Sequence, residues 1–200
     1  MNMKRFAKVR ISLPFCILIS VMYVLDFGRV FLPTFAAVLI HELAHIFAIK
    51  LFGFKITQVN IRAFGISVKV ENIEYIPYTK EIIIAAAGPL AGLITAAATF
   101  VAAKCFGIYS LSYFVGVNIV ITAINLLPVY PLDGGRIVLC TLAKLMTHRV
   151  AYTISYILSI LSTGTLFGLC AYFASVGKLN PSLVIFSSYI ALCSIKAPRP

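Results

Sequence analysis

Between Val30 and Phe52 the chain is almost continuously apolar, and the middle of that stretch is His41-Glu42-Leu43-Ala44-His45. About 20 apolar residues suffice to cross the hydrocarbon core of a bilayer as a helix, so the stretch reads as a membrane span. An ionisable side chain held mid-membrane costs roughly 2.5–3.5 kcal/mol on insertion scales. This span carries three of them, and a purely structural helix has nothing to offset that. On a helix, positions i and i+4 share a face. His41 and His45 can therefore converge on one zinc ion, with Glu42 beside them as a candidate general base. The plainer reading has the two histidines hydrogen-bonded to their neighbours.

The rest of the chain agrees with a membrane setting. Of 200 residues, 61% are hydrophobic and 12% charged, against about 45–50% and 25% for soluble domains; mean hydropathy is +1.01. The expectation is an integral membrane protein, residues 1–200 forming one domain. Only six acids are present, Asp26, Glu42, Glu71, Glu74, Glu81 and Asp133. Glu42 and Asp133 are the two in apolar surroundings, and so the two that need explaining. A net charge of +11 suggests nucleic acid as a partner, but the basic residues flank apolar segments and form no stripe, which excludes that class. The five cysteines are scattered through apolar runs and read as small core residues without a disulfide framework.

Taken in order, the apolar segments predict six spans: Ile11–Leu25, Val30–Phe52, Glu81–Phe106, Ile108–Leu127, Ala151–Val176 and Leu179–Ile195. Apolar and polar residues alternate strictly over Ile66-Ser67-Val68-Lys69-Val70-Glu71 and more loosely over Lys55–Arg62, with Ala63-Phe64-Gly65 between them. That pattern predicts strands joined as a hairpin, a solvated loop being the alternative. The expected fold is an all-α polytopic membrane protein, six transmembrane helices with a small β-hairpin between helices 2 and 3. Gly88 and Gly92, at G-x-x-x-G spacing, predict close helix packing. With the N-terminus in the cytoplasm, fourteen Lys and Arg residues fall in inside segments and three, Arg29, Lys104 and Lys178, outside. This asymmetry places both termini, the hairpin and the Asp133 end of the fourth span on the cytoplasmic side.

Catalytic zinc sites usually have three protein ligands and an open position. The third ligand here is sought at Asp133, in Pro128-Val129-Tyr130-Pro131-Leu132-Asp133-Gly134-Gly135-Arg136, where prolines and glycines break the helix. Broken backbone at membrane depth is tolerated where it is buried or lines a cavity, and the helix is expected to resume near Arg136. The competing role for Asp133 is the N-cap of that helix. His148, beside Arg149 at a predicted boundary, reads as an exposed polar residue. With His41, His45 and Asp133 as ligands, the metal lowers the pKa of water toward ~7. Glu42 takes the proton and returns it to the leaving amine of a peptide bond. Asn125 is a candidate for orienting substrate or binding the developing oxyanion; a helix–helix hydrogen bond is its other reading. A substrate helix must unwind before it is cut, and an edge of the hairpin offers strand addition to hold it.

His-Glu-Leu-Ala-His at 41–45, Ala-Ala-Gly-Pro-Leu-Ala-Gly at 86–92 and Asn-Leu-Leu-Pro-Val-Tyr-Pro-Leu-Asp-Gly-Gly at 125–135 together resemble the site-2 protease (M50) family of intramembrane zinc metalloproteases, and most its sporulation branch. The resemblance implies zinc held by His41, His45 and Asp133, and catalysis by Glu42. It further implies a membrane-tethered protein substrate such as a pro-sigma factor, inhibitory or regulatory membrane partners, and a bacterial cell membrane, in the sporulation case the outer forespore membrane. The sporulation branch carries a C-terminal nucleotide-sensing CBS domain. This chain ends shortly after its sixth span and has no PDZ-like insertion, so control by ATP is not expected, and an anti-sigma factor or a signal-peptide remnant is an alternative substrate. The competing class is a membrane zinc-binding or transport protein that does not hydrolyse. Transport calls for ionisable residues spread along a path, whereas here they sit at one depth.

Overall fold

The computed structural model describes residues 8–11, 31–62, 65–70, 76–178 and 181–195. These form strand β1 (Lys8–Ile11), helix α1 (Phe31–Leu51), strands β2 (Ile56–Arg62) and β3 (Gly65–Val70), and helices α2 (Tyr78–Phe106), α3 (Leu111–Asn125), α4 (Asp133–Leu145), α5 (His148–Ser175) and α6 (Pro181–Ile195). The architecture is mostly helical. By length and composition α1, α2 and α5 can cross a membrane, and shorter apolar helices cover Leu111–Asn125 and Leu183–Ser194. The first expected span, Ile11–Leu25, lies outside the described residues apart from Ile11, which ends β1.

Burial is inverted relative to a water-soluble protein. Large apolar side chains such as Leu51, Ile94, Val101, Phe106 and Leu161 are exposed, while His41, His45, Asn118, Thr122, Asp133, Ser159 and Thr163 are buried. Lipid solvates the former as well as protein does, so what the helices hide is polar or small. The chain is an integral membrane protein. At the centre lies α2, in contact with α1, α3 and α4. Its buried face is made of Ile84, Ala85, Gly88, Gly92, Ala96 and Ala103, small residues that let neighbouring backbones approach. A Cβ at Gly92 would meet Thr122 Oγ1 of α3. Helix α1 stops at Gly53 (φ +76°) and α2 at Gly107 (φ +66°), left-handed positions that glycine enters without a Cβ penalty.

The strands form one sheet in the order β1-β2-β3. Strands β2 and β3 pair antiparallel, Val59 opposite Val68 and Ile61 opposite Ile66, with a bulge at Ile56/Gln58; residues 63–64, where the sequence predicts the turn, lie outside the described residues. Strand β1 pairs parallel to β2, Lys8 opposite Gln58 and Ile11 opposite Ile61. The sequence reading placed these four residues at the charged edge of the first span. Lys-Val-Arg-Ile does alternate, but four residues are too few for alternation to stand out, and their partner lies some fifty positions away.

Helix α3 ends at Asn125, and a loop with a cis Tyr130–Pro131 bond leads to α4. Helix α4 begins at Asp133 with Leu132 at its N-cap, three residues before the start expected from the sequence. The reason is steric. A Cβ at Gly134 would fall on the carbonyls of Leu126 and Leu127, and one at Gly135 about as close to Val129. The two glycines are thus part of the helix's first turn, and their missing side chains let the 126–130 backbone fold across it. Ser159 of α5 accepts a hydrogen bond from the Tyr130 amide (3.2 Å), and Ser194 of α6 donates to the Tyr130 carbonyl (3.4 Å). The loop that delivers Asp133 is therefore tied to both following helices.

Candidate metal centre

Helical geometry alone puts His41 and His45 on one face of α1, and both are buried. Asp133 reaches them from the first turn of α4. His41 Nε2 lies 3.0 Å and His45 Nε2 3.1 Å from Asp133 Oδ2, and the two Nε2 atoms are 3.2 Å apart. All three residues are less than a tenth exposed. Because Leu132 occupies the N-cap, the Asp133 carboxylate is available for this cluster. Its charge also sits at the N-terminus of α4, where the helix dipole favours an anion by roughly 0.3–1 kcal/mol.

The proton count favours a cation among these atoms. His45 Nδ1 is 2.7 Å from the Ile84 carbonyl of α2. A carbonyl only accepts, so Nδ1 carries the proton and Nε2 of the neutral ring presents a lone pair. With both rings neutral, three electron-rich atoms form a triangle and have at most one proton, on His41 Nε2, to share among them. A carbonyl or carboxylate on the far nitrogen of an imidazole is also the usual way a metal-ligating histidine is oriented. Histidine and carboxylate bonds to zinc of ~2.0–2.1 Å in a tetrahedron imply ligand separations of about 3.3 Å, close to the observed edges. His41 Nδ1 is buried without a hydrogen-bond partner among the described residues. The donors also have room, because Gly88 of α2 faces them. A Cβ there would come within 2.6 Å of His41 Nε2 and nearer still to His45 Nε2. Among the described residues His41, His45 and Asp133 are the group of His, Cys, Asp and Glu side chains arranged to hold a metal ion.

The other residues singled out in the sequence are placed differently. Glu42 is half-buried on α1, next to His41. Asn125 stands at the C-terminus of α3 and donates from Nδ2 to the Ile121 carbonyl at 3.0 Å, a bond within its own helix. His148 is exposed at the start of α5 and outside the cluster. Three contributors were not read from the sequence as part of the site: the Ile84 carbonyl, Gly88, and the Arg136–Glu81 ion pair beside Asp133. A backbone carbonyl has no sequence signature. Gly88 stood in a small-residue run read as packing only, and Glu81 was visible as one of six acids.

Residues 102–169 match peptidase family M50, a stretch that holds Asn125 and Asp133 and excludes His41 and His45. A zinc metalloprotease of Methanocaldococcus jannaschii is 30% identical over 169 residues, which is 80% of this chain and 46% of that protein. Stage IV sporulation protein FB of Bacillus subtilis is 32% identical over 120 residues, 59% of this chain and 42% of that protein. The chain thus spans less than half the length of these curated relatives. The solved structure of a site-2 protease from M. jannaschii superimposes with a TM-score of 0.70 at 19% identity, covering 100% of this chain and 94% of that one. In sequence the chain is similar to peptidase family M50 over residues 102–169, and in fold it is similar to a site-2 protease.

Proposed function

We propose that this protein is an intramembrane zinc endopeptidase that cleaves a membrane-tethered regulatory protein. The observation that carries the proposal is the triangle of buried donors from His41, His45 and Asp133 with Glu42 alongside. Those three side chains would hold the ion, and zinc, when bound, polarises a peptide carbonyl and acidifies water. Glu42 acts as the general base, taking a proton from the attacking water onto its carboxylate and delivering it to the leaving amine nitrogen. Asn125 commits one amide hydrogen to Ile121 and has a second for a substrate carbonyl as negative charge develops there. The substrate's own helix hides its peptide bonds. The β2–β3 sheet offers an edge to which an unwound segment can add as a strand.

The charge distribution supports six spans, both termini in the cytoplasm and an active site opening to that side. Similarity to stage IV sporulation protein FB favours a pro-sigma factor as substrate. The test is reconstitution of the full chain in vesicles with membrane-tethered candidates, following truncation. Wild type should cleave, and Glu42→Gln should keep stoichiometric zinc but not cleave, since an amide cannot take the proton. Equal cleavage by both proteins sinks the assignment.

A further inference from the structure

We propose that Glu81 and Arg136 form a positioning pair for the metal centre: Arg136, anchored by Glu81, holds the outer oxygen of Asp133 and so fixes which oxygen faces the histidines. The inference rests on the metal-site reading above and adds two residues to it.

The two oxygens of Asp133 meet different partners. Oδ2 faces both histidines at 3.0 and 3.1 Å, and Oδ1 lies 4.0 Å from Arg136 Nη1. At 4.0 Å the guanidinium acts on Oδ1 as a charge, the separation being too long for a hydrogen bond. Arg136 itself is held from the other side, where Nη2 donates a direct hydrogen bond to Glu81 Oε1. A carboxylate with equivalent oxygens can rotate or ligate through both. A cation fixed beside one oxygen breaks that equivalence and leaves the other for the metal.

The anchor also has an electrostatic purpose. A lone guanidinium this close to a divalent-ion site would repel the ion, and Glu81 cancels that charge locally. Both side chains are partly withdrawn from the surroundings, 36% exposed for Arg136 and 23% for Glu81, so screening is incomplete. The placement follows from one helix face. Glu81, Ile84 and Gly88 stand at i, i+3 and i+7 on α2 and recur on one side of a 3.6-residue helix. That face receives the His45 proton at Ile84, leaves room for the donors at Gly88, and anchors Arg136 at Glu81. Ligand, ligand-holder and anchor are thus joined through α2, and a shift of α2 against α4 would move Asp133 relative to the histidines.

The experiment uses the full chain in lipid nanodiscs, stripped with chelator and titrated with Zn²⁺ against a competing chelator, with Co²⁺ as a spectroscopic probe. Arg136→Gln and Glu81→Gln should each weaken Zn²⁺ binding about 10–100-fold, the usual effect of losing a group that orients a ligand, and each should shift the Co²⁺ absorption bands. The double variant should bind no more weakly than Arg136→Gln alone, because Glu81 acts through Arg136. Arg136→Lys keeps the charge without the planar fork; it should show an intermediate affinity at wild-type thermal stability of the metal-free protein, and it carries the test if Arg136→Gln does not fold. Wild-type affinity and spectra in either single variant, tighter binding by Arg136→Gln, or losses that simply add in the double variant would each overturn the proposal. Wild-type protein that binds no more metal than His45→Ala would instead overturn the metal-site reading beneath it.

Discussion

Replacing Gly88 by alanine tests the geometry of the centre with one carbon atom. The added Cβ would sit 2.6 Å from His41 Nε2, 2.7 Å from His45 Cε1 and nearer still to His45 Nε2. Ordinary van der Waals contact begins at 3.4 Å, so His41 Nε2 or the α2 backbone has to give by about 0.8 Å, and the nearer His45 Nε2 by more. Metal sites tolerate donor shifts of roughly 0.2 Å, a quarter of that movement. Neither side yields easily: His45 is tied to Ile84, on the same helix as Gly88, and His41 lies within one turn of His45. Overpacking of this kind typically costs about 1–3 kcal/mol. Charged against metal binding, that is about a 5- to 150-fold loss of affinity. Zinc content and chelator competition measure it on the purified full chain, with circular dichroism to check helix content. Gly92→Ala is the internal control. Its Cβ would meet Thr122 Oγ1, away from the donors, so it should disturb α2–α3 packing and leave zinc affinity near wild type. If Gly88→Ala folds and binds zinc as the wild type does, the space at Gly88 is not the space the metal uses, and the centre has been placed wrongly.

Asp133→Asn should lose zinc affinity by more than the ~10–100-fold typical of an orienting group, and cleavage with it; since asparagine caps helices about as well as aspartate, a silent variant would remove Asp133 from the ligand set. Gly134→Ala drives a Cβ onto the carbonyls of Leu126 and Leu127, so it should lower the thermal unfolding temperature and zinc occupancy together, and a neutral result would refute the loop-over-helix account. A cysteine at position 69 should be labelled by a membrane-impermeant reagent from the cytoplasmic side and one at position 178 from the opposite side, reversed labelling contradicting the inward-facing termini.

Features whose geometry is local could be read from the chain alone. Hydropathy marks membrane helices because hydrocarbon solvates only apolar side chains, and α1, α2 and α5 fall within a few residues of the expected spans. The i, i+4 spacing of His41 and His45 brings two rings together on any α-helix, whatever it packs against. Asp133 was conspicuous as a carboxylate in apolar, broken backbone, before the packing that sets it beside His41 and His45 was visible. Only the packed structure decides the rest, because it depends on where separate helices cross. The crossing of α1 and α2 brings a main-chain oxygen at Ile84 to His45 Nδ1 and sets the missing side chain of Gly88 against both histidine rings. The fold of residues 126–130 over Gly134 and Gly135 moves the start of α4 back to Asp133, a steric fit with no periodicity to reveal it. Strand β1 exists by pairing with a segment some fifty residues distant. Arg136 and Glu81, each a single charge in the sequence, become one unit beside Asp133 when α2 and α4 lie side by side.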